Sequence, residues 1–477
     1  MNRKLGRLKL YALILLMTTS LVQVGILWSI HGLPFIFQKD KTGFVSLDIN
    51  DARKTYFKPY CIVVSKGSKD LRWVIDSSDD IYSTMWEEAK SYLDEIFNSK
   101  DISPVSNDET IGNLYLRRSF IFEFRTSLKQ EIVSWFLDIS NTSQNAPQGV
   151  YKMAILPGED LNESLNTVYI WDNTRMYKYV LPIKGHLEKD KYGEFINTLE
   201  GDKSLRTYNV IDEFITPGRV NHQISKDLLF SISSPKEQGY RVLNYSTPDF
   251  FTSKNLEASA DIVLGTEKFN YDPSYVDAVS SSGLKAFKNQ NNIYRLYGNG
   301  LLEYKYILTS EDTDRGSIDS AFVNALDFIN KKKQLIPGVS LYLSGVSADK
   351  KNYYEFAFDY QIDGYNAFID FKAGDILNSS DAGDLNNAIT IRANGSRVIE
   401  CQWIMKKFEF TNQTYQYNVN FVDLLDNNLS KKFIQVSIKD IGIAYPITSE
   451  SSMKRIEPVW VISNMEDKLF TIPMIRK

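Results

Sequence analysis

Cysteine and histidine are both scarce in this chain. Only Cys61 and Cys401 occur in 477 residues, which excludes a disulfide scaffold and any Cys-rich zinc module. Three histidines, His31, His186 and His222, lie too far apart to share a metal-ligand spacing. The sequence has no phosphate loop, no G-x-G-x-x-G, no H-E-x-x-H and no G-x-S-x-G. A basic excess is missing as well. Lysine and arginine number 55 against 59 acids, a net charge of −4, which argues against a nucleic-acid partner. Two Ser-x-x-Lys pairs, Ser347/Lys350 and Ser451/Lys454, lack companion motifs and read as coincidence. Asp76, Ser78 and Asp80 with Glu87 in twelfth place mimic a calcium loop, but Ile81 stands where the sharp turn requires glycine. Helix capping is the better reading of that cluster. The chain therefore nominates no catalytic residue, no cofactor and no metal ligand.

What is present is apolar and aromatic. Hydrophobic residues make up 43% and aromatics 13%, enough for two or three domains with proper cores. One stretch stands apart. Residues 1–9 carry Arg3, Lys4, Arg7 and Lys9 and no acid, and residues 10–30 then run uncharged for 21 positions. At 1.5 Å per residue such a helix spans roughly the 30 Å hydrocarbon core. The flanking charges place the N-terminus in the cytoplasm, and Tyr11 and Trp28 sit where interfacial aromatics belong. A cleaved signal peptide is the rival reading. The run is longer than a signal core, and Trp28-Ser29-Ile30-His31 offers no small-x-small site, so an uncleaved anchor is preferred. With the basic tail set aside, 51 basic and 59 acidic residues remain, giving an acidic body outside the membrane.

The body alternates strand-like and helical patterns. Tyr60–Val64 and Leu71–Ile75 form a hairpin, Asp76–Asp79 offers caps, and a helix follows over Ile81–Phe97. Tyr115–Phe124 reads as a strand, with Thr126 or Ser127 capping a helix over Leu128–Phe136, and Val168–Leu181 as a hairpin around Asp172-Asn173-Thr174. Residues 270–276 open a short helix, and Gly298-Asn299-Gly300 turns another hairpin. The clearest helix is Ser317–Lys333, with Ile318, Ala321, Phe322, Ala325, Leu326 and Ile329 on one face. Tyr354, Phe356, Phe358 and Tyr360 alternate along a strand, and a further hairpin turns at Asn394-Gly395. Residues 421–433 look helical, and Ile438–Tyr445 reads as the last strand before the end. The class is α+β, antiparallel sheets with packed helices behind a single transmembrane helix. Expected units are a tail 1–9, an anchor 10–30, an N-terminal domain 31–205 opening with a stalk at 31–55, a central domain 206–312 and a C-terminal domain 313–477. Cys61 and Cys401 both read as core residues.

An ordered series of segments carries a family resemblance. Phe269-Asn270-Tyr271-Asp272-Pro273-Ser274-Tyr275-Val276 comes first, then the hairpin with Gly300-Leu301-Leu302-Glu303-Tyr304. The helix with Ala325-Leu326-Asp327-Phe328-Ile329 follows, then Ile438-Lys439-Asp440-Ile441-Gly442-Ile443-Ala444-Tyr445 and Pro458-Val459-Trp460-Val461. In these the C-terminal half resembles the YycH and YycI family of regulators, found beside an essential sensor histidine kinase in Gram-positive bacteria. Ser119-Phe120-Ile121-Phe122-Glu123-Phe124 and the Val168–Leu181 hairpin are similar to the longer, YycH branch. Residues 203–259 and the polar insert 375–387 depart from it.

The resemblance implies several α+β domains outside the cell, the last portions shared with YycI. It also implies partnership with a YycI-like protein and with the YycG (WalK) kinase, and hence control of cell-wall metabolism without enzymatic activity. Two other readings stand beside it. One is an anchored binding module for an envelope ligand, with the Tyr354/Phe356/Phe358/Tyr360 stripe as platform; a buried sheet face is the preferred account of that stripe. The other is an anchored hydrolase, for which no nucleophile or metal set is visible. Within the anchor, Thr19 and Gln23 are four apart on one helix face with Ser20 alongside. Back-bonding to their own helix accounts for Thr and Ser. Gln23 lies deep in the span, and an interhelical bond there is worth about 0.6–1.7 kcal/mol. Thr19, Ser20 and Gln23 are therefore the expected partner-helix contacts.

Overall fold

Alternating side chains on successive strands build two cores back to back. A computed structural model of the chain describes residues 48–477 apart from 68–71, 78, 107, 158–164, 183–188, 203–205, 211–223, 226–227, 232–238, 265–283, 290, 309–314, 349–351, 372–384, 425–437, 465 and 467. The first sheet contains β1 (Cys61–Lys66), β2 (Arg72–Ile75), β3 (Arg118–Lys129), β4 (Gly149–Leu156), β5 (Leu165–Trp171), β6 (Met176–Pro182), β7 (Arg206–Val210) and β8 (Leu229–Ser231), in the spatial order β6-β5-β4-β3-β1-β2-β7-β8. Its central strands are covered on both faces. Ile62, Val64, Phe120 and Phe122 enter the large core, whereas Cys61, Val63 and Ile121 face a smaller one with Tyr115 and Tyr169. This is the period-two geometry of a strand buried on both sides. The helix Tyr82–Asn98 packs Trp86, Ala89, Leu93 and Phe97 onto the large-core face.

The second sheet has eleven strands. It draws on β10 (Lys285–Asn289), β11 (Asn292–Leu296), β12 (Leu301–Tyr306), β13 (Ser340–Ser347), β14 (Tyr354–Ile362), β15 (Tyr365–Asp370), β16 (Ile389–Ala393), β17 (Val398–Ile404), β19 (Ile438–Thr448), β21 (Val459–Asn464) and β22 (Leu469–Pro473). Every described pairing in it is antiparallel except that of β15 with β19. A third sheet joins β9 (Tyr240–Ser246) to β18 (Lys407–Tyr415) and β20 (Lys454–Ile456).

The helix Ile318–Lys332 lies between the two large sheets. Ser317 caps it, its Oγ accepting from Ser320 N, and Asp319 and Lys331 complement its dipole at opposite ends. Its apolar face, Ala321, Phe322, Ala325, Leu326 and Ile329, is wholly buried. Phe322 is the meeting point. Its ring centroid lies 5.6 Å from Trp135 and 5.5 Å from Phe136 on the first sheet's helix Gln130–Phe136, and 5.1 Å from Phe356 on β14. Phe57 stacks on Phe136 at 4.7 Å and meets Trp86 at 5.1 Å, and Tyr56 meets Phe358 at 5.7 Å, so one aromatic seam crosses from sheet to sheet.

Several local expectations are corrected. The stalk ends in a helix, Ile49–Tyr56, capped by the Asp48 carboxylate. Asp76–Asp79 forms a turn, Asp76 N donating to Asp79 Oδ2 at 2.8 Å, and puts no side-chain cap on the following helix. β3 runs on to Lys129, so Thr126 and Ser127 are strand residues; Ser127 Oγ donates to Asp172 O. Ile438–Tyr445 belongs to β19, and β20, β21 and β22 follow it. The boundaries at 205/206 and 312/313 both fall inside sheets. β7 and β8 complete the first sheet, and β12 pairs with β17 from the far side of residue 312. Strand pairing over such distances leaves no mark in local composition. Residues 10–30, the helix expected at 270–276 and all three histidines lie outside the described residues.

Because Phe322 is fully buried against both sheets, Phe322→Ala is expected to cost about 3–5 kcal/mol in denaturant unfolding. A loss below 1 kcal/mol measured by urea titration would show that the seam is not a packed core.

Candidate functional site

The turn after β2 meets the β14–β15 hairpin where the first and second sheets abut. Asp363 and Gly364 form that hairpin's turn with φ of 55° and 77°, the left-handed pair that a two-residue hairpin loop demands. A Cβ on Gly364 would stand 3.0 Å from Asp76 Oδ2, so glycine also permits the close approach of the other sheet. Ser77 Oγ crosses the gap and donates to Gln361 Oε1 at 2.9 Å. Beside this contact opens a cleft of about 410 Å³ lined by Ser77, Gly338, Val339, Ser340, Gln361, Asp363 and Gly364. Arg241 Nε sits 3.5 Å from the Asp363 carboxylate. The lining offers two hydroxyls, an amide, a carboxylate and glycine backbone. That set hydrogen-bonds a small polar ligand, and it contains no nucleophile with a base beside it.

Two partly buried polar clusters lie beside the junction. Arg125 on β3 lays its guanidinium 3.6 Å from the Tyr60 ring centroid and 3.9 Å from Asp440 Oδ2 on β19. Burial disfavours its charge, but Tyr60, Tyr342 and Asp440 outweigh that and push its pKa above the ordinary arginine value. Tyr342, on β13, tilts against Tyr60 at 5.9 Å. On the same face of β3, Lys152 Nζ donates to Tyr115 Oη at 2.8 Å and to Glu123 Oε1 at 3.2 Å, while the Tyr115 hydroxyl bonds Glu123. Burial opposes the Lys152 charge, yet Glu123 and Tyr115 hold its pKa well above the usual lysine value. Acid, amine and phenol are the ingredients of general acid–base chemistry, but here each satisfies the others.

The thiols are withdrawn from solvent. Cys61 and Cys401 are buried and free, and burial pushes both up, away from the thiolate. The aromatic stripe expected as a possible platform is core: Phe356, Phe358 and Tyr360 are fully buried, and Tyr354 lies under Arg315 at 3.8 Å. Among the described residues no group of three or more His, Cys, Asp or Glu is placed to hold a metal. Thr19, Ser20 and Gln23 lie outside the described residues, and among those described no helix is long and apolar enough to cross a membrane. The sequence missed Arg125, Tyr342 and the Ser77–Gln361 contact. Single polar residues were the only signal, and Asp440, Tyr60 and Gln361 lie more than 280 positions from Arg125, Tyr342 and Ser77 respectively.

These features define a class: an α+β protein of two large abutting sheets with a polar cleft at their junction. No family model matches the chain, and no curated protein matches it significantly. A solved structure does. The crystal structure of YycH from Bacillus subtilis superposes with a TM-score of 0.56 at 11% sequence identity, over 90% of this chain and 98% of that one. The chain has the YycH fold, which meets the resemblance read from its sequence.

If the Glu123–Lys152–Tyr115 set is structural, Lys152→Met leaves a partly buried carboxylate without its cation and costs about 1–3 kcal/mol. Adding Glu123→Gln should return most of that loss. Equal instability of the single and double variants in urea unfolding would contradict the pairing.

Proposed function

We propose that the chain is a membrane-anchored extracytoplasmic regulator of a sensor histidine kinase of the YycG (WalK) type, acting with a YycI-like partner and without chemistry of its own. The observation that carries this reading is the likeness to YycH over nearly the whole of both chains. The arrangement of its polar groups supports it. Burial raises the pKa of both thiols, and the Lys152 amine and Glu123 carboxylate are paired with each other.

On this reading residues 10–30 hold the chain in the membrane with its body outside. Thr19, Ser20 and Gln23 then face a partner helix. A hydrogen bond at Gln23 is of the order of 1 kcal/mol, and couplings of about 1–3 kcal/mol suffice to bias a two-state kinase. The abutting sheets form the body through which outside contacts bear on that helix. A second reading, an anchored module binding an envelope ligand, is favoured by the polar cleft at the junction.

The test is co-reconstitution of the full chain with a YycG-type kinase and a YycI-like protein in lipid vesicles, reading kinase autophosphorylation. The chain is expected to change the rate several-fold, and the double variant Thr19→Leu, Gln23→Leu to weaken that effect while leaving the circular dichroism unchanged. An unrelated segment in place of residues 10–30 that preserved full regulation would move the contact to the ectodomain. No effect of the chain on the kinase would overturn the proposal.

A further inference from the structure

The Gln361 carboxamide lines the junction cleft with half of its hydrogen-bonding capacity unused. Gln361 is 8% exposed, and its Oε1 accepts from Ser77 Oγ at 2.9 Å. Its Nε2, which can donate twice, has no hydrogen-bond partner among the described residues. A polar group so nearly buried is costly to leave unsatisfied, so those hydrogens go to water or to a ligand in the cleft.

The backbone fixes what stands around that amide. Gln361 pairs directly with Ser340 on β13, so both side chains rise on one face and the exposed Ser340 hydroxyl is its neighbour. Asp363 adds a carboxylate from the hairpin turn, and Ser77 adds a hydroxyl from the first sheet. Gly338, at φ 89°, has nothing within 4 Å of where a Cβ would stand, which lets a ligand approach its backbone. Beyond the carboxylate, Arg241 lies 3.5 Å from Asp363 Oδ2 and 5.2 Å from the ring of Phe410, itself 43% exposed.

We propose, on the reading of this cleft as an envelope-ligand site, that it takes a neutral polyhydroxylated ligand, a mono- or disaccharide, which touches both sheets at once.

The lining selects that class. An anion would meet the Asp363 carboxylate, with the Asp76 carboxylate behind Gly364, 3.0 Å from where a Cβ would be. A cation would find Asp363 already faced by Arg241. For a metal ion, no group of three or more His, Cys, Asp or Glu is suitably placed among the described residues. An extended peptide needs pockets for its side chains, and Val339 is the one apolar side chain in the lining. Sugar hydroxyls suit what is there, because each both donates and accepts. One ring can accept from Gln361 Nε2, donate to Asp363 and exchange bonds with Ser340 and Ser77. Phe410 supplies an exposed ring near the carboxylate for an apolar sugar face. The volume of about 410 Å³ falls within the range of about 300–1,000 Å³ usual for small-molecule sites.

A ligand held this way reinforces the junction. Ser77 belongs to the first sheet and Ser340, Gln361 and Asp363 to the second, so occupancy favours the closed arrangement. At ten times Kd the bound state shifts that equilibrium by about elevenfold.

The test is saturation-transfer NMR on the full chain in detergent micelles. N-acetylglucosamine and its β-1,4-linked dimer are the neutral probes, with glucosamine and glucuronate as cationic and anionic controls. The neutral sugars are expected to bind with Kd near about 1 mM, and the charged ones about tenfold more weakly. Asp363→Asn keeps a residue that tolerates the left-handed turn, and Ser340→Trp fills the cleft from an exposed position; each should weaken neutral binding about tenfold or more. Either variant suffices if the other fails to fold. Neutral binding unchanged in folded Ser340→Trp would place the sugar elsewhere and overturn the proposal. Preference for glucosamine or glucuronate, lost in Ser340→Trp, would overturn the sugar class while leaving the cleft a ligand site. No binding of any of the four probes would overturn both.

Discussion

The contact on which the rest of the structure depends is the burial of Phe322 between two sheets. The long helix offers one apolar stripe, and that stripe is shared. Trp135 and Phe136 approach it from the first sheet, Phe356 and Phe358 from the second. Because both sheets spend apolar area on the same side chain, neither has a complete core without the other. The large core is accordingly one continuous cluster running from Ala52 to Ile456. The polar contacts at the junction depend on that closure. Ser77 reaches Gln361, and Arg125 reaches Asp440, only because the seam holds the sheets in register.

Buried charge is handled in two ways in this fold. Lys152 is matched with Glu123 and Tyr115, an arrangement that keeps it cationic and rigid. Lys285 and Lys406 are given carbonyls and hydroxyls, which orient the amine. The first device belongs to the centre of the first sheet, where β1, β3 and β4 pair. The second belongs to the second sheet, at the start of β10 and just beyond β17.

Much of the local structure was legible in the sequence. The helix at 318–332 announced itself by its apolar spacing and its Ser317 cap, and the hairpins at Asp172-Asn173-Thr174 and Asn394-Gly395 by their turn chemistry. Cys401 beside Ile399 and Trp403 was rightly read as core. Domain boundaries were not legible. The segment near residue 205 is poor in local signals, yet β7 pairs with β2 more than 130 residues earlier, a contact that no local window contains. The capping roles given to Asp76, Thr126 and Ser127 failed because tertiary pairing took those residues into a turn and a strand. The cleft at the junction was invisible for the same reason: Ser77 and Gln361 are 284 positions apart.

On the proposed reading the chain works by transmitting force or position, which a pair of loosely tethered domains does poorly. The account therefore stands on the two sheets melting as one body. Scanning calorimetry of the purified full chain tests this most directly. The account predicts a single endotherm whose calorimetric and van't Hoff enthalpies agree. Two resolved transitions, the first leaving the strands of one sheet protected from exchange while the other melts, would contradict it.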